Sequence, residues 1–467
     1  MQLADRTSAA SGAGPTRLPG GIDAAVSGWG GRDRVRVRVV RAGDIEQLRA
    51  AVITPRLGGA IARGMGRSYG DAAQRAGGLV LDTTPLRGFE LDRTAGLLRA
   101  EAGATLGALL TALAGTGWVL PVVPGTQHVT VGGAVASDIH GKNHAAAGTF
   151  GTHVRALGLL TASGDVVELT REQNADLLAA TIGGMGLTGV ILWAAIQLRR
   201  LPSSWLAVDI DRVRGLDDAL AILGSPGGCH RVAWLDLLGG DLVRGVVTRA
   251  DHVEAAELGA DSAPAGTTVK ARLRIPPRWP GGLLRTGAVR AHNEYRFRRA
   301  PRRATGRLEA FGDHMFPLDA LDAWPRLYGP EGLVQYQLVV PTGRERALER
   351  VILALRGSAV PCYLAVLKDF GPANDAPMSF PMRGWTLALD VPGAAPGLAA
   401  LLNRFDELVA EAGGRVYLAK DGRLRADALA AMYPRLAHWR AVRDQVDPHG
   451  RWLSDLGLRT GMVATPR

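Results

Sequence analysis

The sequence predicts an α+β fold in which a second domain is inserted into a two-lobed first domain. Three observations predict it. Before about residue 200, short strands and helices mix without the regular strand–helix–strand repetition of a doubly wound sheet. From about Leu201, strand-like runs are separated by helical runs, the pattern of an antiparallel sheet carrying helices on one face. Near Gly413-Gly414 this pattern stops and the chain returns to the first domain in helices. The expected parts are a disordered, Gly/Ala/Ser-rich tail over 1–27, a first domain in two pieces (28–200 and 413–467), and the insertion over 201–412.

Within the first piece, Arg34-Val35-Arg36-Val37-Arg38-Val39 alternates with period two and reads as a strand with one wet face. Asp44 caps a helix carrying Ile45, Leu48 and Val52 on one side. Ala60-Ile61-Ala62 is a short strand entering the loop Gly64–Asp71, and Gly78–Asp82 is another strand. Phe89–Asp92 pairs with Leu97–Ala102 across a turn at Gly96, and Leu106–Leu113 is helical. In the insertion, strands are expected at Leu206–Ile210, Arg231–Leu235, Val243–Thr248, Val334–Val340, Tyr363–Leu367 and Thr386–Asp390. Helices are expected at Leu216–Leu223, Glu345–Leu355 and Leu398–Ala412, then at Ala426–Met432 and Arg435–Val446 after the return.

At 467 residues the chain can bury the cores of two or three domains, and 47% hydrophobic residues fit a globular protein. No apolar run approaches the ~18 residues of a membrane span; Leu187–Leu198 is shorter and holds Gly189 and Gln197. The N-terminus lacks a signal peptide's basic start and apolar core, so a cytoplasmic location, or a peripheral one at the plasma membrane, is expected. Cys229 and Cys362 show neither CxxC nor metal-ligand spacing, so no metal site is expected. Between Lys270 and Arg307 basic side chains exceed acidic ones by eleven, equal to the whole chain's +11. That segment is read as a mobile, phosphate-seeking flap at an anionic membrane. Nucleic acid is disfavoured, because no aromatic stacking platform interleaves the arginines.

Two stretches concentrate chemistry. Leu120–Thr152 packs eight glycines and prolines around Asp138-Ile139-His140-Gly141-Lys142-Asn143-His144. Glycine lets backbone amides approach a ligand with no side chain between, as a large phosphate-bearing cofactor requires. Gly64-Met65-Gly66-Arg67-Ser68-Tyr69-Gly70 follows a strand and can form an anion nest for a pyrophosphate, helped by the Ser68 hydroxyl. Gly184-Met185-Gly186-Leu187-Thr188-Gly189 matches GxGxxG but follows helix-like Asp176–Ile182 and precedes strand-like Val190-Ile191-Leu192-Trp193. A dinucleotide fingerprint needs the reverse order, so an NAD site is rejected.

With these stretches, Gln335-Tyr336-Gln337, Lys368-Asp369-Phe370-Gly371-Pro372, Ser379-Phe380-Pro381, Tyr417-Leu418-Ala419-Lys420-Asp421 and Met432-Tyr433-Pro434-Arg435 carry a family likeness from about Gly28 to Asp455. The chain resembles the decaprenylphosphoryl-β-D-ribose 2-oxidase family of vanillyl-alcohol-oxidase-type FAD flavoproteins. The resemblance implies a two-piece FAD domain with an inserted substrate domain. It implies cofactor contacts from Arg63, Gly64, Met65, Gly66, Arg67, Ser68, Tyr69, Gly125, Thr126, Gly132, Gly133, Ala136, Ser137, Ile139, His140, Gly141, Asn143, Gly189, Ile191 and Tyr417. A histidine often stands at the Arg67 position in this class and bonds to the flavin; arginine cannot, so non-covalent FAD is expected.

Flavin-dependent alcohol oxidation needs a hydride acceptor, removal of the hydroxyl proton and a group to stabilise developing negative charge. By residue type alone, Gln337 reads as a sheet residue and Lys368 and Lys420 as surface lysines. The resemblance makes Lys420 and His140 the catalytic candidates, and Tyr69, Lys142, Gln335, Gln337, Lys368, Thr386, Ala388 and Lys420 the substrate contacts. Where many members have Asn-Ile-Cys after Gly-Trp, this chain has Thr386-Leu387-Ala388, which removes a thiol from the expected wall. The implied reaction oxidises the ribose 2′-hydroxyl of a polyprenylphosphoryl-β-D-ribose, and an NAD(P)H-dependent short-chain reductase completes epimerisation to the arabinose. The alternative is an FAD oxidase of a free sugar, alditol or aldonolactone.

Overall fold

The computed structural model describes residues 20–54, 58–239, 243–258, 265–277 and 284–464. The first piece opens on a four-stranded sheet in the order Ile22–Val26, Val35–Arg41, Leu79–Asp82, Ala60–Arg63. The tail expectation is corrected here: Ile22–Val26 pairs antiparallel with Val35–Arg41, whereas residues 1–19 of that tail lie outside the described residues. The other pairs are parallel, because the helix Ile45–Ile53 crosses over between Val35–Arg41 and Ala60–Arg63. Asp44 caps that helix, its side chain accepting from the Gln47 amide, and Leu48, Ala51 and Val52 are buried beneath. A second, antiparallel sheet runs Phe89–Asp92, Leu97–Glu101, Val190–Gln197, Val154–Leu160, Val166–Thr170. The Gly-rich stretch lies between these layers and includes a short helix at Val131–Ala136.

The insertion is an eight-stranded antiparallel sheet. Its order is Arg303–Ala310, Trp205–Val213, Arg244–His252, His230–Asp236, Leu364–Phe370, Gly384–Pro392, Leu333–Pro341, Arg415–Val416. Because side chains alternate along a strand, Arg231 points to the helix face, where it donates to the Leu223 carbonyl. Trp234, Val366, Lys368, Thr386, Ala388, Gln335 and Gln337 share the opposite face by register. The last strand carries the sheet past residue 412, so the return to the first piece follows Val416. Gly414 is required there: a Cβ would stand 2.2 Å from the Val339 carbonyl oxygen.

The basic segment read as a mobile flap is built, among the described residues, largely of regular elements. Leu273–Arg274 pairs in parallel with Leu321–Asp322, Thr286–Arg299 is a helix, and Arg303 opens the edge strand; 278–283 lie outside the described residues. Val289, Asn293 and Phe297 anchor the helix, Asn293 donating to Asp236 at 2.8 Å and Arg296 lying over Trp234. This helix therefore packs on the face opposite Leu216–Gly224.

The return piece locks the first domain. Ala60 donates to Arg451 and accepts from Leu453, extending the first sheet. Trp439, fully buried, donates its indole N–H to the Ala180 carbonyl at 2.8 Å, tying the helix Leu436–Val446 to Ala175–Thr181.

Candidate active site

A cavity of about 300 Å3 opens where the two pieces of the first domain meet the sheet of the insertion. The loop Arg63–Tyr69 forms one wall and the Gly-rich stretch from Pro124 to His140 another. The sheet contributes Gln335, Gln337, Val366, Lys368 and Ala388, and the return segment adds Tyr417, Ala419 and Lys420.

Most sequence-predicted residues meet here: Arg63, Gly64, Met65, Gly66, Arg67, Ser68, Tyr69, Gly125, Thr126, Gly132, Gly133, Ala136, Ser137, Ile139, His140, Gly189, Ile191 and Tyr417 all line the cavity. Gly141, Lys142, Asn143 and Thr386 do not, and each has a structural occupation. A Cβ on Gly141 would stand 2.8 Å from the Val123 carbonyl oxygen. Asn143 braces the stretch by donating to the Pro121 carbonyl at 2.8 Å. Lys142 turns to the insertion, its ammonium donating to the His314 carbonyl. Thr386 donates to the Leu338 carbonyl at 2.8 Å and accepts from Gln337 at 3.1 Å, so it reaches the site only through Gln337.

At the sheet end of the cavity, polar groups converge. His140 Nε2 lies 3.0 Å from Gln337 Nε2, and its Nδ1 lies 3.3 Å from Lys368 Nζ. The ring packs edge-on to Phe370 at 4.7 Å and against Tyr417 at 5.4 Å. Lys420 Nζ sits 3.9 Å above the Tyr69 ring. Tyr417 donates its hydroxyl to the Ser137 carbonyl at 2.9 Å, joining the return segment to the Gly-rich stretch.

Burial sets the charges. It lowers Lys420 to about 7, with Lys368 pushing the same way and Asp390 opposing. Lys368 falls to about 8 for the same reason. His140 is held well below the ordinary imidazole value by burial, then by Lys368, and so is neutral. Gln337 also donates to Thr386, so the neutral imidazole is held between the Gln337 amide at Nε2 and the Lys368 amino group at Nδ1. The site can therefore take up a proton near neutral pH and also offer positive charge to a developing alkoxide.

Comparison with known proteins decides the family. A family model described as an FAD binding domain matches residues 37–170, and one described as D-arabinono-1,4-lactone oxidase matches 393–459. The chain is 38% identical to decaprenylphosphoryl-beta-D-ribose oxidase of Mycolicibacterium smegmatis, over 93% of this chain and 97% of that protein. The chain belongs to the decaprenylphosphoryl-β-D-ribose oxidase family. It is also 40% identical to an uncharacterized Streptomyces coelicolor protein, over 74% of this chain and 96% of that one. Human Delta(24)-sterol reductase matches at 31% over only 28% of this chain and 25% of its own.

An FAD-binding oxidase of this family needs a long cradle of bare backbone, and the cavity walls supply it. A Cβ on Gly125 would meet nothing within 4 Å, Gly66 takes φ +62°, and Arg67 leaves a buried Nε without a partner among the described residues. The residues present fit FAD. Sequence reasoning missed Trp29, Asp319, Trp324 and Asp390. Trp29 stacks under Arg67 at 3.7 Å, and Asp319 accepts from Thr126 at 2.7 Å and from the Gln127 amide at 2.8 Å, closing the insertion over the loop. Only Asp390 left a signal, two positions beyond Ala388 on the same strand.

Proposed function

We propose that this protein oxidises the 2′-hydroxyl of a polyprenylphosphoryl-β-D-ribose to the ketone. The observation that carries the reading is the convergence of Lys420 over Tyr69 with Lys368, His140, Gln335 and Gln337 at one end of the FAD-type cavity. FAD, when bound, accepts the hydride. Lys420 takes the hydroxyl proton or stabilises the alkoxide; neutral His140, held by Gln337 and Lys368, is the competing base. Gln335, Gln337 and Lys368 orient the sugar from the sheet face, and Ala388 leaves the adjoining wall without a thiol. The cofactor is held non-covalently, because Arg67 stands where a flavin-bonding histidine would. Arg63 is braced by the Ala73 and Ser27 carbonyls at 3.0 and 2.8 Å, which fixes its guanidinium beside the cavity.

The substrate class draws on the mycobacterial relative. The exposed arginines of Thr286–Arg299 and of the following edge strand favour peripheral contact with an anionic membrane, where a prenyl phosphate resides. A short-chain reductase would consume the ketone. Among the described residues no helix is long and apolar enough to cross a membrane. A second reading, oxidation of a free sugar, alditol or aldonolactone, draws on the match over 393–459. Anaerobic titration of the FAD-loaded protein separates them: bleaching by prenylphosphoryl-ribose and not by ribose, alditols or lactones is expected. Bleaching by free lactones alone would refute the first reading.

A further inference from the structure

Asp390 lies on the cavity face of the sheet, directly across from Gln335 in the register. It is 1% exposed. One carboxylate oxygen accepts from Gln335 Nε2 at 2.5 Å, while Oδ2 is buried without a partner among the described residues. Gln335 lines the cavity together with Tyr69, whose ionisation its amide favours. The Tyr69 amide donates to the Ala419 carbonyl at 2.9 Å, and the Tyr69 ring carries Lys420 Nζ on its face. Asp390, Gln335, Tyr69 and Lys420 thus form one assembly, anchored in the sheet at one end and open to the cavity at the other. A buried carboxylate is costly unless it is bonded or faces positive charge, and Asp390 uses only one oxygen for bonding.

We propose that Asp390 is a positioning residue of the reaction: it holds Gln335 against Tyr69 and supplies the negative charge that Lys420 faces. This rests on the role given to Lys420 above. The other groups around the assembly do not substitute for it. Tyr328 and Cys362 feel Asp390, Tyr363 packs against Tyr328 at 5.8 Å, and Asp236 acts on Cys362. Arg67 and Asp319 act on Tyr69 with opposite signs, and Lys368 acts against a charge on Lys420. Burial raises Asp390 itself to about 7, so its charge and that of Lys420 change over the same pH range. Removing the carboxylate therefore lowers the pH at which Lys420 gives up its proton, whether Lys420 acts as base or as charge stabiliser.

The test uses the FAD-loaded protein as wild type, Asp390→Asn and Gln335→Leu. Asparagine keeps the shape and an oxygen for Gln335 but removes the charge; leucine removes the bridge and, with it, the hydrogen bond that favours ionised Asp390. Each is labelled with trace acetic anhydride across a pH series, and Lys420 acetylation is read by mass spectrometry. Asp390→Asn should move the Lys420 midpoint down by about one pH unit, a tenfold rise in labelling on the acid side. The limb of the pH profile for flavin reduction should move with it. Gln335→Leu, which leaves Asp390 more readily protonated, should move the midpoint down by no more than Asp390→Asn does, and should raise KM. An unmoved midpoint in Asp390→Asn, or an upward move in Gln335→Leu, would overturn the assignment. Either result would leave the proposed function standing, provided Lys420→Ala abolishes flavin reduction. Wild-type reduction by Lys420→Ala would instead remove the role given to Lys420, on which this inference rests.

Discussion

Lys420→Ala is the perturbation that bears hardest on the mechanism. The ammonium sits 3.9 Å above Tyr69, and burial has brought its proton affinity to about 7. At neutral pH, amine and ammonium forms are therefore both populated. Either can act, because a negative charge and a released proton develop at the same hydroxyl. Losing a general base or charge stabiliser costs ~100-fold or more in rate, which corresponds to ~2.7 kcal/mol of barrier. Lys420→Arg should recover little, since a guanidinium cannot accept a proton and is bulkier than an ammonium. If Lys420 is the base, the wild-type rate rises as pH climbs through about 7, because only the amine accepts; Lys420→Ala removes that limb. The assay is anaerobic stopped-flow reduction with saturating prenylphosphoryl-ribose, with flavin absorbance confirming that FAD is retained. Reduction at close to the wild-type rate would remove Lys420 from the mechanism and shift the role to His140.

The flavin should leave the protein on acid precipitation, and yellow colour in the washed pellet would contradict the role given to Arg67. FAD-free Lys420→Met should melt at a higher temperature than wild type at pH 7. A buried lysine with folded pKa about 7 costs stability fully below that value and recovers as pH rises towards 10.5, so the gain should shrink by pH 9.5; a gain that grows with pH would show the sign to be wrong. Sedimentation with anionic vesicles should weaken as salt rises and when Arg298, Arg299, Arg302, Arg303 and Arg307 are changed to glutamine, and unchanged binding would refute membrane contact by this face. Cysteine-directed inhibitors should leave no adduct on the cavity wall, since Ala388 offers no thiol; a mass-mapped adduct there would contradict its placement.

What was legible in the sequence follows from where the physics is local. Period-two alternation and capping chemistry located the strand Val35–Arg41 and the helix begun by Asp44, because both signals lie within a few residues. The six insertion strands were legible for the same reason, whereas the face that turns inward is set by their register and was not. The consecutive apolar residues of Val154–Leu160 give too little alternation to announce the hairpin it forms with Val166–Thr170. Val154–Leu160 is fixed by pairing with Val190–Gln197, a contact some thirty residues away, and Val166–Thr170 pairs on its other edge. The helix Thr286–Arg299 was hidden more deeply. Its sequence is basic on nearly every side, so it shows no apolar stripe, and only Val289, Asn293 and Phe297 reveal the face that packs. Lys142 and Asn143 show the converse. They sit beside His140 in sequence, yet one residue's turn sends Lys142 to the His314 carbonyl and Asn143 to the Pro121 carbonyl. A motif names residue types that recur together; it does not separate those facing the cavity from those that hold the loop in shape. Asp390 makes the same argument from the other side, since its place beneath Gln335 depends on a strand register set by residues fifty-five positions away.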